Sequence, residues 1–173
     1  RATDCACNAG YMGGDGVGCE ACVAGTYKEV NGTGECTLCP AGTYSTGTGE
    51  TSEAACSECP AHAVSGAGSS NLSHCTCDAG YTGPDGGACV ACGAGTHKDV
   101  NGTAPCALCP GGKYSATTAA MSEATCSDCP MDSYSHVGST SVADCACNLG
   151  YTGPHGGACE ACVAGTYKEG NGT

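Results

Sequence analysis

Twenty cysteines in 173 residues are the groups with the most chemistry to offer. Most fall in pairs with two residues between them: Cys19 with Cys22, Cys36 with Cys39, Cys56 with Cys59, Cys89 with Cys92, Cys106 with Cys109, Cys126 with Cys129 and Cys159 with Cys162. Cys19-x-x-Cys22 followed by Cys36-x-x-Cys39 has zinc-ribbon spacing, in which four thiolates converge on one ion. The alternative is a disulfide framework. The Cys-x-Cys pairs (Cys5 with Cys7, Cys75 with Cys77, Cys145 with Cys147) suit tetrahedral geometry poorly, and so the sulfurs are read as bridging, with no metal and no other cofactor expected.

The remaining reactive types give less. His62, His74, His97, His136 and His155 share no spacing, and His97 stands where other loops have Tyr, so all five are expected at the surface. There is no Ser-His-Asp order and no phosphate-cradling glycine loop, and a cross-linked chain without an apolar cleft offers no dry pocket for transition-state stabilisation. Catalysis is not expected. One modification motif does recur: Asn31-Gly-Thr33, Asn101-Gly-Thr103 and Asn171-Gly-Thr173 are N-glycosylation sequons, and Asn71-Leu-Ser73 adds a fourth. Ser/Thr-rich runs such as Ser45–Ser52 and Ser115–Thr118 offer hydroxyls for O-glycans.

Whatever positions these groups, it is not a core of large apolar side chains. The chain has no Trp, Phe or Ile and only four Leu (Leu38, Leu72, Leu108, Leu149). Ordering a backbone costs about 1–2 kcal/mol per residue, and cysteine at this density is the available compensation, since a bridge closing roughly 15 residues stabilises by about 3 kcal/mol. Small domains built this way belong to oxidising compartments, which implies an extracellular or cell-surface location. A formal charge of −12 with five Lys and Arg gives no electrostatic footprint for nucleic acid. No apolar run is long enough for membrane insertion in this segment, and the start at Arg1 has no signal-peptide pattern, so the chain is read as a mature portion or fragment of something longer.

A strict repeat organises the cysteines. Cys5, Cys7, Cys19, Cys22, Cys36, Cys39, Cys56 and Cys59 recur 70 residues later as Cys75, Cys77, Cys89, Cys92, Cys106, Cys109, Cys126 and Cys129, and Cys145, Cys147, Cys159 and Cys162 open a third copy. Three units follow: residues 1–74, 75–144 and a partial 145–173. A finer motif lies inside each: Cys22-Val-Ala-Gly-Thr-Tyr27, Cys39-Pro-Ala-Gly-Thr-Tyr44 and Cys109-Pro-Gly-Gly-Lys-Tyr114, with a shorter form at Cys7-Asn-Ala-Gly-Tyr11. Glycine turns the chain where positive φ is needed, and the tyrosine ring is expected to lie over the disulfide. The fold class expected is small and disulfide-rich, mostly irregular with short β-ribbons, as an elongated tandem-repeat rod in which each loop touches mainly its neighbours. The cysteines alone leave two connectivities open, a sequential ladder or an interleaved pattern such as Cys5–Cys19 with Cys7–Cys22.

Cys-Pro-x-Gly-Thr-Tyr-Ser between Cys-x-x-Cys pairs resembles Eph-receptor-like cysteine-rich repeats and is similar to the first loop of tumour-necrosis-factor-receptor domains. Cys75-Thr-Cys77-Asp-Ala-Gly-Tyr81-Thr-Gly83 and its copies look like the closing half of an EGF-like module, without the calcium signature that some of these carry. The resemblance implies a pairing in which each Cys that opens a Gly-Tyr motif closes on the next Cys along: Cys7–Cys19, Cys22–Cys36, Cys39–Cys56, Cys59–Cys75, Cys77–Cys89, Cys92–Cys106, Cys109–Cys126, Cys129–Cys145 and Cys147–Cys159. Cys5 and Cys162 would then bond to units outside the sequence. Such modules occur in receptors, in matrix proteins, and in arrays on protist and algal surfaces and flagellar appendages. The expected role is therefore a repeat segment of an extracellular structural glycoprotein (a filament, flagellar hair, matrix or coat). The alternative is the stalk or ligand-binding region of a receptor or adhesin. Its partners would be other copies of itself or other extracellular glycoproteins, along with covalent glycans.

Overall fold

The computed structural model describes residues 6–14, 18–168 and 170. Among them regular structure consists of two-residue strands paired antiparallel into nine separate ribbons and four short 3-10 turns. The ribbons are β1 (Tyr11–Met12) with β2 (Glu20–Ala21), β3 (Thr26–Tyr27) with β4 (Thr37–Leu38), β5 (Thr43–Tyr44) with β6 (Ser57–Glu58), and β7 (Ala63–Val64) with β8 (Thr76–Cys77). They recur as β9 (Tyr81–Thr82) with β10 (Val90–Ala91), β11 (Thr96–His97) with β12 (Ala107–Leu108), β13 (Lys113–Tyr114) with β14 (Ser127–Asp128), and β15 (Ser133–Tyr134) with β16 (Ala146–Cys147), followed by β17 (Tyr151–Thr152) with β18 (Glu160–Ala161). The expectation of short β-ribbons in tandem, cross-linked and without α-helix, is met. Two compact units divide the described chain: residues up to Asp78 with Gly83–Cys89, and Ala79–Thr82 with Val90 onward.

One local rule generates seven of the nine ribbons: a Cys-x-x-Gly turn reverses the chain into the first strand, and the two residues inside the next Cys-x-x-Cys pair form the second, as Thr37–Leu38 do between Cys36 and Cys39. In the other two, His62 and Asp132 hold the turn at φ +62° and +60°, and the second strand, Thr76–Cys77 or Ala146–Cys147, starts inside a Cys-x-Cys pair. At Gly25 and Gly95 glycine is required on two counts. Gly25 sits at φ +84°, and a Cβ there would lie 2.3 Å from the Gly68 carbonyl oxygen; Gly95 sits at +74°, with the Gly138 oxygen 2.2 Å from such an atom. The close approach carries hydrogen bonds from loop to loop. In the first unit Gly25 N–H donates to Ser45 O at 2.8 Å, Gly68 N–H to Cys39 O at 2.8 Å, and Cys39 N–H to Gly25 O at 2.8 Å; in the second, Gly95, Gly138 and Cys109 repeat the set.

The 3-10 turns precede the second cysteine of the two longest bridges in each period, Cys39–Cys56 and Cys59–Cys75, then Cys109–Cys126 and Cys129–Cys145: they are Glu53–Ala55, Leu72–His74, Glu123–Thr125 and Val142–Asp144. Each starts at a residue whose side chain accepts from the backbone two positions on: Ser52, Asn71, Ser122 and Ser141. The Val142–Asp144 turn has a full capping box, because Asp144 also accepts from the backbone N–H groups of Thr140 and Ser141 at 2.8 and 3.0 Å. These two bonds hold the Asp144 carboxyl below the ordinary aspartate range.

The interior is made of sulfur and small polar groups. Cys7, Cys22, Cys39, Cys75, Cys77, Cys92, Cys109, Cys126, Cys145 and Cys147 are buried, joined by Tyr27 and Ala120, whereas Leu38 and Leu108 are more than half exposed. Ser45, Ser65, Ser115 and Ser135 fill the position just after the first strand of their loops. Ser65 and Ser135 there donate to the carbonyls of Thr43 and Lys113 in the preceding ribbon, both at 2.8 Å. Their burial removes Ser45 and Ser115 from the hydroxyls that O-glycosylation could use.

Candidate functional site

Nine disulfides run in sequence along the described chain: Cys7–Cys19, Cys22–Cys36, Cys39–Cys56, Cys59–Cys75, Cys77–Cys89, Cys92–Cys106, Cys109–Cys126, Cys129–Cys145 and Cys147–Cys159. Loop lengths of 12, 14, 17 and 16 residues repeat in that order, and Cα–Cα distances of 5.5–5.7 Å suit unforced bridges. Cys5 lies outside the described residues, and Cys162 is half-buried and unbridged among them. The reason the Cys-x-x-Cys pairs are not zinc knuckles is visible in the backbone. The two intervening residues are extended strand, so one sulfur closes backward and the other forward: Cys36 to Cys22, and Cys39 to Cys56.

His97, Cys109 and Cys126 place their ligating atoms within 4.8 Å of one another. The two sulfurs are bonded to each other, so neither is a thiolate available to an ion. His97 is nonetheless not the surface residue expected from its lack of spacing. It is buried, with Nδ1 3.9 Å from Cys126 Sγ, because it occupies the strand position that Tyr27 holds 70 residues earlier. Tyr27 itself is buried and donates its hydroxyl to Glu53 at 3.2 Å; burial first, then the Glu53 carboxylate, push its pKa up. Some of the other rings are exposed rather than packed as the expected lid over a bridge. Tyr134, 45% exposed, lies across the next turn back, where a Cβ on Gly111 would fall 2.0 Å from its hydroxyl, and Tyr167 is 81% exposed. The larger part of each loop's interior is cystine and backbone.

Each sequon asparagine that can be described is tied into the scaffold through its carbonyl. Asn31 Oδ1 accepts from Ala9 N–H at 2.8 Å and Asn101 Oδ1 from Ala79 N–H at 2.9 Å, each bridging 22 residues. Asn71 Oδ1 accepts from Ser73 N–H at 2.9 Å as a cap. All three are exposed, and Asn171 lies outside the described residues.

The sequence reading missed the lysines. Lys28 and Lys98 are 3% and 2% exposed. Lys28 Nζ donates to the carbonyls of Tyr11 at 2.6 Å and Gly32 at 2.5 Å; Lys98 Nζ donates to those of Tyr81 at 2.6 Å and Gly102 at 2.5 Å. Lys168 repeats the bond to the ribbon 17 residues back, reaching Tyr151 O at 3.1 Å. An ammonium thus fills the place that Ser45 and Ser65 fill in neighbouring loops, and it ties the ribbon before it to the sequon turn after it. One signal was available: Lys28, Lys98 and Lys168 are three of five basic residues and share one phase of the repeat.

A ladder of single-bridge loops, each with a positive-φ turn and a two-strand ribbon, defines a class: the disulfide-stapled repeat of receptor-ectodomain type. The chain belongs to the family described as tyrosine-protein kinase ephrin type A/B receptor-like, whose profile matches twice, over residues 10–56 and 80–126. Both matches open at a turn glycine and close at the end of a bridge, at Cys56 and Cys126. The chain is also similar to a mouse (Mus musculus) protein, the Sushi, von Willebrand factor type A, EGF and pentraxin domain-containing protein 1, at 30% identity over 128 residues. That alignment covers 73% of this chain and 3% of the mouse protein. Disulfide-rich repeats of this kind are typical of extracellular domains.

Proposed function

We propose that this chain is a repeat segment of an extracellular structural glycoprotein, in a filament, flagellar hair, matrix or coat, with other copies of itself or other extracellular glycoproteins as its partners. The observation that supports this reading is the recurrence of every ribbon, bridge and cap at a fixed 70-residue interval. A polymer that keeps constant geometry needs the same unit repeated, whereas a ligand site needs one unit to differ. Electron microscopy of the native material tests it: particles longer than one chain, with a regular axial repeat, are expected, and isolated monomers anchored on membranes would overturn it. The family match favours a second reading, a stalk or ligand-binding region of a receptor or adhesin. A membrane-spanning segment elsewhere in the full-length protein would decide for it.

A further inference from the structure

We propose that Asn31 and Asn101 carry N-linked glycans, one per 70-residue period, attached where the fold leaves the amide nitrogen free. The fold itself accounts for two residues of each sequon. Asn is needed because its Oδ1 accepts the Ala9 or Ala79 N–H. Gly is needed because positions 32 and 102 sit at φ +139° and +116°. Neither requirement extends to the third residue: Thr33 and Thr103 are exposed, and no hydrogen bond is made by their hydroxyls among the described residues. The first two copies have diverged on both sides of the motif, Glu29 to Asp99 before it and Gly34-Glu35 to Ala104-Pro105 after it, and the threonine stays.

The amide is also split in a way that suits the modification. Only its carbonyl half is used by the scaffold, and among the described residues no hydrogen bond engages Nδ2. Glycosylation forms a bond from Nδ2 to the anomeric carbon of a sugar and leaves that carbonyl intact. The donor class is a polyprenyl-diphosphate-linked oligosaccharide: the anomeric carbon–oxygen bond breaks, the diphosphate leaves with the electron pair, and an Nδ2 proton passes to a base of the transferase. The loop bond to Ala9 or Ala79 therefore survives with the sugar in place. Asn71 is a different case, since its side chain caps a 3-10 turn, a task done by Ser141 one period later with no sequon.

This goes beyond the structural reading, for a receptor stalk could carry the same sugars. The test is peptide mapping of the secreted protein after incubation in heavy-oxygen water with and without the deglycosylating enzyme, so that enzyme-dependent label is separated from the label that spontaneous Asn-Gly deamidation takes up. Label at Asn31 and Asn101 is expected. Thr33→Ala and Thr103→Ala should each remove one glycan's mass while preserving the nine bridges, and Asn31→Asp should remove the same mass while keeping the Oδ1 acceptor. Unlabelled Asn31 and Asn101 in the secreted protein, or an unchanged glycan mass in the T33A/T103A double variant, would overturn the proposal.

Discussion

Lys28 and Lys98 show how a charged residue serves as interior material when a chain has little else to bury. Each ammonium meets two backbone carbonyls, one from the ribbon before it and one from the sequon turn after it. Replacing Lys98 by Ala leaves those carbonyls without a donor, which costs about 1–3 kcal/mol, and a fall in denaturation midpoint relative to the parent checks this. Burial also shields the peptide bonds that follow. Native protein digested with trypsin should be cut after Lys113, whose side chain is 31% exposed, before Lys28 or Lys98. That cut lies inside the Cys109–Cys126 loop, so the pieces should separate on a gel only after reduction. Early cleavage after Lys28 or Lys98 would contradict the placement. None of this was legible from composition, because lysine by type reads as solvated. The same blindness applied to His97, whose buried setting comes from the strand slot it inherits rather than from any property of histidine.

At the scale of the element, the turn fixes the conformation and the residue type follows. Position 119 has φ +53° with Ala, where the copy 70 residues earlier has Gly49 at +70°. Ala119→Gly should therefore stabilise by several tenths of a kcal/mol to about 1 kcal/mol. Gly25→Ala adds a collision with the Gly68 carbonyl to the same backbone penalty and should destabilise by more than about 1–2 kcal/mol. Chemical denaturation of the two variants beside the parent gives both signs. The Val142–Asp144 turn is pH-sensitive: a carboxyl with a lowered folded pKa contributes stability that is present above its unfolded value and is lost as pH falls through the folded value. Carboxyl-carbon NMR should find Asp144 titrating below an ordinary aspartate, and Ser141→Ala, which removes the reciprocal half of the box but not the Asp144 acceptor, should loosen the turn. Ribbons and glycine turns were readable because the cysteine spacing brackets both strands. The 3-10 turns were not, since three residues carry no periodicity and only the capping Ser or Asn announces them.

Across the whole molecule the stabilising terms are covalent and electrostatic rather than apolar. Every bridge closes a loop of 12–17 residues, for which about 3 kcal/mol is the expected contribution. The sequential pairing could be read only through family likeness, because two cysteines flanking two residues can bond either way until the extended backbone between them is known. A net charge of −12 sets copies against one another, and at about 0.1 M salt screening acts over only about 10 Å. Light scattering should show any association of copies rising with added salt, and stronger association at low ionic strength would contradict a contact opposed by net charge. The most direct measurement of the central claim, that cystine replaces an apolar core, is amide hydrogen exchange before and after reduction and alkylation. Intact protein should protect the loop-to-loop amides of Cys22, Cys39, Cys92 and Cys109, and the reduced chain should lose that protection in every loop; protection that persists without the bridges would contradict the account.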